Sequence, residues 1–281
     1  MRLDEDYLRE LELWPMFALK AAGAVPTRLD RAASRESVPP AAADAAAPLP
    51  TAVATPIAAP RTAPVSRPAL VPAQAKVASP VVTADPARVA HIAALDWAGL
   101  NRETAACTAC GLCKQRKQAV LGVGAVDAPW LFVGEGPGAD EDTQGEPFVG
   151  QAGKLLDAML SATGLARGRE VYIANVVKCR PPGNRTPSVE EAMACAPFLD
   201  RQIDLIKPKL IVALGKTAVM RLTGSDASMA SLRGQLHQYR GVPVIATYHP
   251  AYLLRNLPEK LKAWEDLVLA RKTMAGIVAK T

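Results

Sequence analysis

Short apolar runs alternate with stretches of helical period over the C-terminal two-thirds of the chain. Trp130–Val133, Val171–Val177, Leu210–Leu214 and Val242–Thr247 read as strands, and Leu210–Leu214 is apolar throughout, as in a strand covered on both faces. Between them lie helical patterns over 91–105, over Gly153–Thr163, from Ser188 to about Ile206, over Lys216–Leu222 and over Leu257–Lys280. Leu155, Leu156, Met159 and Leu160 share one face of the second helix. Ser188 followed three residues later by Glu191 is a capping box, in which each side chain satisfies an orphan amide at the helix start. Strands alternating with helices predict parallel β-α units in one three-layer α/β domain. The site is then expected in the loops at the carboxyl ends of the strands. Three segments fall there: GEGPG after the first strand, Asn175 at the end of the second, and YHPAYLLR after the last.

The N-terminal third has a different pattern. Residues 26–86 consist mainly of Ala, Pro, Val, Ser and Thr and hold 12 of the 24 prolines. Proline removes backbone donors and alanine cannot fill a core, so residues 26–88 are expected to form a disordered linker. The domain is expected over 89–281. Before the linker, residues 1–25 carry Leu8, Leu11, Leu13, Trp14 and Phe17 on one prospective helical stripe. An isolated short helix is marginal in water, so this segment must dock somewhere.

Charge adds little. Of the net +6, residues 1–90 carry about +1 and residues 91–281 carry +5, which permits nucleic-acid binding without requiring it. No run of 18 apolar residues exists, and the acidic N-terminus argues against a secretory signal, so a cytoplasmic protein without a membrane span is expected. The cysteines change the picture more. All five lie between 107 and 195, and clustered thiols in a reducing compartment read as metal ligands before disulfides. Cys107-x2-Cys110-x2-Cys113 is not a ferredoxin array, because position 117 is lysine. Cys107, Cys110, Cys179 and Cys195 make four ligands with Cys113 spare. Four thiolates suit zinc or an iron–sulfur cluster, and spacing does not separate the two.

The segment WLFVGEGPGADEDTQGEPFVGQAG holds the glycine loop. Gly134-x-Gly136-x-x-Ala139 matches the dinucleotide fingerprint in letters, but that motif needs a helix opening directly after the glycines. The acids, glycine and proline of ADEDTQGEP predict that the next helix waits until about Gly150. The phosphate reading is therefore set aside. Glycines that allow close approach, Glu135 as acceptor or base, and Phe148 as a flat face suit a flat ligand with hydrogen-bonding edges, such as a nucleobase.

Taken in order, CTAC at Cys107, GEGPGADEDTQGEPFVGQAGKLL, VYIANVVKCRPPGNRTP and YHPAYLLR resemble the family 4 uracil-DNA glycosylases, the iron–sulfur branch of their superfamily. The resemblance covers roughly residues 95–275. It implies a three-layer α/β/α fold with a central four-stranded parallel sheet, and a [4Fe–4S] cluster on Cys107, Cys110, Cys179 and Cys195. It implies excision of uracil from single- or double-stranded DNA, in base-excision repair, by a monomer associated with the nucleoid. Glu135 and the backbone near Gly136 would line the uracil pocket, Phe148 would stack on the base, and Asn175 would read its edge. His249 would stabilise charge on the departing uracil. Pro250 and Ala251 would belong to a loop entering the minor groove, and Arg255 and Arg185 would contact phosphates. The loop KCRPPGNRTP has no histidine, so covalent trapping of the product is not expected. Glu10-Leu11-Glu12-Leu13-Trp14 is also similar to the bacterial sliding-clamp-binding peptide. The preferred reading of that segment is a helix docked on its own domain, with the clamp as the alternative.

Overall fold

Residues 85–279 are described by the computed structural model. The N-terminal segment with its clamp-like residues 10–14, and the linker as far as residue 84, lie outside the described residues. Pro86, Ala87 and Arg88, assigned above to the linker, instead open helix α1 (Pro86–Ala93). Asp85 caps it by accepting from the Ala87 amide at 3.0 Å, and proline suits a first turn whose amides are unpaired anyway. The single helix expected over 91–105 is two, because Asp96 accepts from the Gly99 amide at 2.7 Å and starts α2 (Trp97–Ala106) afresh.

The sheet has six strands: β1 (Val123–Gly124), β2 (Trp130–Gly134), β3 (Val171–Asn175), β4 (Leu210–Leu214), β5 (Leu236–Tyr239) and β6 (Val242–Thr247). Their order is β1-β3-β2-β4-β6-β5. The sheet is wider than the four parallel strands expected and is not parallel throughout. The sheet is mixed: β3, β2, β4 and β6 pair in parallel, and β1 and β5 add antiparallel at the two edges. The edge strands escape sequence reading because they are short and half-exposed, with no apolar run.

Side chains of a strand alternate between faces, and here both faces are covered. Leu131 and Val133 of β2 join one core with Phe198, Leu199 and Ile203 of α5 (Val189–Ile206) and Val219 of α6 (Lys216–Thr223). Trp130 and Phe132 join the other, with Leu156 and Leu160 of α4 (Gln151–Ala162) and Leu267 of α9 (Lys260–Val278). Each such fully buried side chain contributes about 1.5–3 kcal/mol against exposure. The capping box is present at α5: the Ser188 hydroxyl accepts from the Glu191 amide, and the Glu191 carboxylate accepts from the Ser188 amide at 2.8 Å. Two further short helices are α7 (Met229–Leu232) and α8 (Pro250–Arg255). Among the described residues no helix is long and apolar enough to cross a membrane.

A helix does open directly after the glycines, contrary to expectation: α3 (Ala139–Gln144). Its six residues have no apolar period. Its side chains hold neighbouring loops instead. Glu141 accepts from the Gly138 amide at 3.0 Å and from the Val149 and Gly150 amides at 3.0 and 3.1 Å. The start of α3 is thus capped by the chain's own carboxylate. Asp142, 1% exposed, accepts from the Lys117 amide at 2.8 Å and the Gln118 amide at 3.4 Å. Asp142→Ala would leave these amides without their acceptor and is expected to cost about 1–3 kcal/mol, read as a lower urea midpoint at unchanged slope.

Candidate active site

The parallel register brings the carboxyl ends of four strands to one edge of the sheet. Gly134 pairs with Asn175, and Leu214 with Thr247. Beyond that edge lies a cleft of about 490 Å³, lined by Glu135, Gly136, Phe148, Asn175, His249 and Arg255 among others. Residues distant in sequence thus share one cavity. A wider groove of about 880 Å³ runs past Trp97, Arg116 and Gln118 and contains none of these side chains.

The cleft is narrow at its floor because glycines allow close approach. A Cβ at Gly134 would come within 2.5 Å of both Asn175 Oδ1 and Phe148 Cζ. A Cβ at Gly136 would meet Val177 Cγ2 at 2.7 Å. Hydrogen bonds from the Val176 amide to the Gly134 carbonyl, and from the Val177 amide to the Glu135 carbonyl, continue the β2–β3 ladder into the loops and hold them side by side.

Phe148 is buried, and its ring stacks on that of His249 with centroids 5.4 Å apart and planes 28° from parallel. Its backbone has φ +57°, a region that bulky residues adopt only when their surroundings impose it. Asn175 is 2% exposed, yet its Oδ1 has no hydrogen-bond partner. A buried acceptor without a partner is costly, and a ligand donor would remove the cost. Glu135 accepts from the Thr217 hydroxyl on the first turn of α6.

His249 caps α8, its Nδ1 accepting from the Ala251 amide at 3.1 Å. That bond leaves Nε2 as the hydrogen-bearing nitrogen of the neutral ring. Burial pushes the imidazole down to about 4, with the Arg255 cation acting the same way and Glu141 opposing both. His249 is therefore a neutral donor near pH 7. The chain has three histidines, so ring-carbon NMR resolves the point: the His249 signal is expected to titrate near 4. A midpoint at the ordinary 6.5 would contradict its burial.

The other predicted residues distribute unevenly. Pro250 and Ala251 do not form a loop but the first turn of α8, since proline at that position and the His249 cap start a helix. Pro250 is buried, Ala251 faces the cleft, and Arg255 is exposed at its rim. Arg185 also reaches the cleft, but its guanidinium is paired with both carboxylate oxygens of Glu191 at 2.7 and 2.8 Å.

The four expected ligands, Cys107, Cys110, Cys179 and Cys195, line one small cavity, and Cys113 lines it with them. Arg116 donates to Cys179 Sγ at 2.9 Å, Arg88 to Cys107 Sγ at 3.5 Å, and the Lys178 amide to Cys195 Sγ at 3.2 Å. Among the described residues no three His, Cys, Asp or Glu side chains converge as on a single metal ion. The donor set fits an iron–sulfur cluster: thiols around one cavity, ringed by cations and N–H groups that would stabilise thiolate sulfur. Burial pushes the Cys195 thiol up to about 12, so binding iron there has to displace its proton.

Thr217 and Glu141 belong to this site and were not singled out from the sequence. Gly215-Lys216-Thr217 follows β4, and the strand-end rule that found the other segments applies to it equally. Gly215, at φ +86°, lies so close to His249 that a Cβ would sit 2.9 Å from the histidine Cβ.

The ends of the parallel strands thus place a stacked aromatic, an amide oxygen without a partner and a neutral histidine around one cleft. The chain belongs to the uracil DNA glycosylase superfamily, whose family model matches residues 121–268. It is 50% identical over 169 residues to the type-4 uracil-DNA glycosylase of Thermotoga maritima, covering 59% of this chain and 88% of that protein. It is 47% identical over 171 residues to the type-4 uracil-DNA glycosylase of Pyrobaculum aerophilum, covering 58% and 87%. The corresponding Archaeoglobus fulgidus protein is 45% identical over 161 residues, covering 54% and 80%.

Proposed function

We infer that this protein is a uracil-DNA glycosylase of DNA repair, which hydrolyses the N-glycosidic bond of uracil in DNA and leaves an abasic site. The observation that carries the reading is the buried Asn175 amide with its unpartnered oxygen beside the Phe148 ring. An amide presents an acceptor and a donor side by side, and the edge of uracil offers N3–H and O4 in the complementary order.

The glycosidic bond lies inside the base stack, so the nucleotide must first be flipped out, at a cost of a few kcal/mol. In the cleft, uracil stacks on Phe148 and pairs its edge with Asn175. As the C1′–N1 bond breaks, its electrons pass to uracil and negative charge grows on O2. His249 Nε2–H donates to that oxygen, and one such donor lowers the barrier by roughly 3 kcal/mol. Glu135, held by Thr217, faces the positive charge that develops on the sugar, orients the water that adds to C1′ and takes the proton that this water loses, while uracil leaves as the anion. Arg255 and Ala251 meet the DNA at the rim. Arg185 engages phosphate only by exchanging its Glu191 partner.

Cys107, Cys110, Cys179 and Cys195 would hold a [4Fe–4S] cluster, which would tie together the segment before β1, the loop after β3 and α5. The remaining assignments follow the same reading: a monomer in the cytoplasm acting at the nucleoid, with residues 10–14 as a clamp contact in the alternative reading of that segment.

An oligonucleotide carrying one uracil, incubated with the protein and then treated with alkali, tests the reading. Breaks at uracil, with none in matched thymine and cytosine strands, are expected. An intact uracil strand would overturn it.

A further inference from the structure

The Phe148 platform has a strained backbone and needs something to impose it. Two side chains from outside the segment grip it. Glu141 holds the Val149 and Gly150 amides that follow. Arg167, in the loop between α4 and β3, donates from Nη1 to the Pro147 carbonyl and from Nη2 to the Phe148 carbonyl, both at 2.8 Å. Arg167 is itself fixed. Its Nε and Nη2 donate to Asp157 Oδ1 on α4 at 3.1 and 3.0 Å, and its backbone bridges to Val171 at the start of β3.

With φ positive, the Phe148 carbonyl is turned away from any regular ladder and needs a donor from elsewhere. It also lies so close to α4 that a Cβ on Gly153 would sit 1.8 Å from its oxygen. A planar fork serves two successive carbonyls at once, which a lysine ammonium cannot do in the same geometry. We propose that Arg167 is a positioning residue for uracil excision, holding Phe148 in the left-handed conformation that stacks its ring beside His249. It touches neither base nor sugar and acts only through Phe148. The proposal rests on the reading of the cleft as a uracil pocket.

A double-mutant cycle separates positioning from general stability. Single-turnover excision from a single-stranded uracil oligonucleotide is measured for wild type, Arg167→Ala, Arg167→Lys, Phe148→Leu and Phe148→Leu/Arg167→Ala. Asp157→Asn, which loosens the arginine without removing its carbonyl bonds, is run beside them. Arg167→Ala is expected to lose about 10- to 100-fold, the scale of a 1 Å misplacement. Arg167→Lys should recover only part of that, and Asp157→Asn should lose less in the same direction. In the Phe148→Leu background, removing Arg167 should change the rate less than about twofold, because nothing remains for it to position. Equal losses in both backgrounds would overturn the proposal, as would no loss in Arg167→Ala. A wild-type protein that leaves uracil in place would instead sink the pocket reading, and this proposal with it.

Discussion

Replacing His249 with alanine is expected to lower the single-turnover rate of uracil excision by about 10²- to 10³-fold, while binding of uracil-containing DNA should weaken far less. The asymmetry follows from the timing of the charge. In the bound substrate, uracil O2 is a neutral carbonyl, and a donor there is worth little more than the water it replaces. In the proposed transition state the same atom carries most of a negative charge, and a donor already in place there needs no reorganisation. A neutral imidazole suits this task. Its Nδ1 is occupied by the Ala251 amide, so Nε2–H is the donor without any need for protonation. An imidazolium would lose the Ala251 bond and the ring orientation it gives. His249→Gln keeps a donor but not the stacked ring and should fall between wild type and alanine. An unchanged rate in His249→Ala would remove histidine from the chemistry and leave Asn175 and Glu135 to account for it.

Gly134→Ala is expected to abolish uracil binding with a smaller effect on the fold. The added methyl would lie 2.5 Å from Asn175 Oδ1 and from Phe148 Cζ, inside the contact distance of both. Either the amide or the ring must move, and both are the surfaces proposed to take the base. Overpacking of this kind costs about 1–3 kcal/mol of stability, seen as a lowered melting temperature. The loss of excision should exceed what that destabilisation explains, because the folded fraction remains high while the pocket is filled. Excision within twofold of wild type would mean that uracil does not sit between Asn175 and Phe148.

The central strands were legible in the sequence because β2 and β4 are covered on both faces and read as unbroken apolar runs. The start of α5 was legible because its cap uses only residues three apart. Glu135, Asn175 and His249 were found at strand ends and Phe148 as the flat face of the glycine loop, with their roles implied by the family resemblance, and the structure brings all four into one cleft. What was missed depends on contacts that sequence order hides. Helix α3 has no apolar face and is held by Glu141 and Asp142 bonding segments on either side of it in sequence. The edge strands β1 and β5 are too short and too exposed to leave a period. Arg167 carried no local signal, since its partners lie 10 to 20 residues away. The loop assigned to Pro250 and Ala251 turned out helical because the His249 side chain doubles as a cap.

The central claim is that the cleft at the strand ends holds uracil. A crystal structure of the protein soaked with free uracil tests it most directly. The ring should lie against Phe148, with its N3–H and O4 edge on the Asn175 amide and its O2 within hydrogen-bond distance of His249 Nε2. Uracil bound elsewhere, or in the cleft with its O2 turned away from His249, would contradict the account.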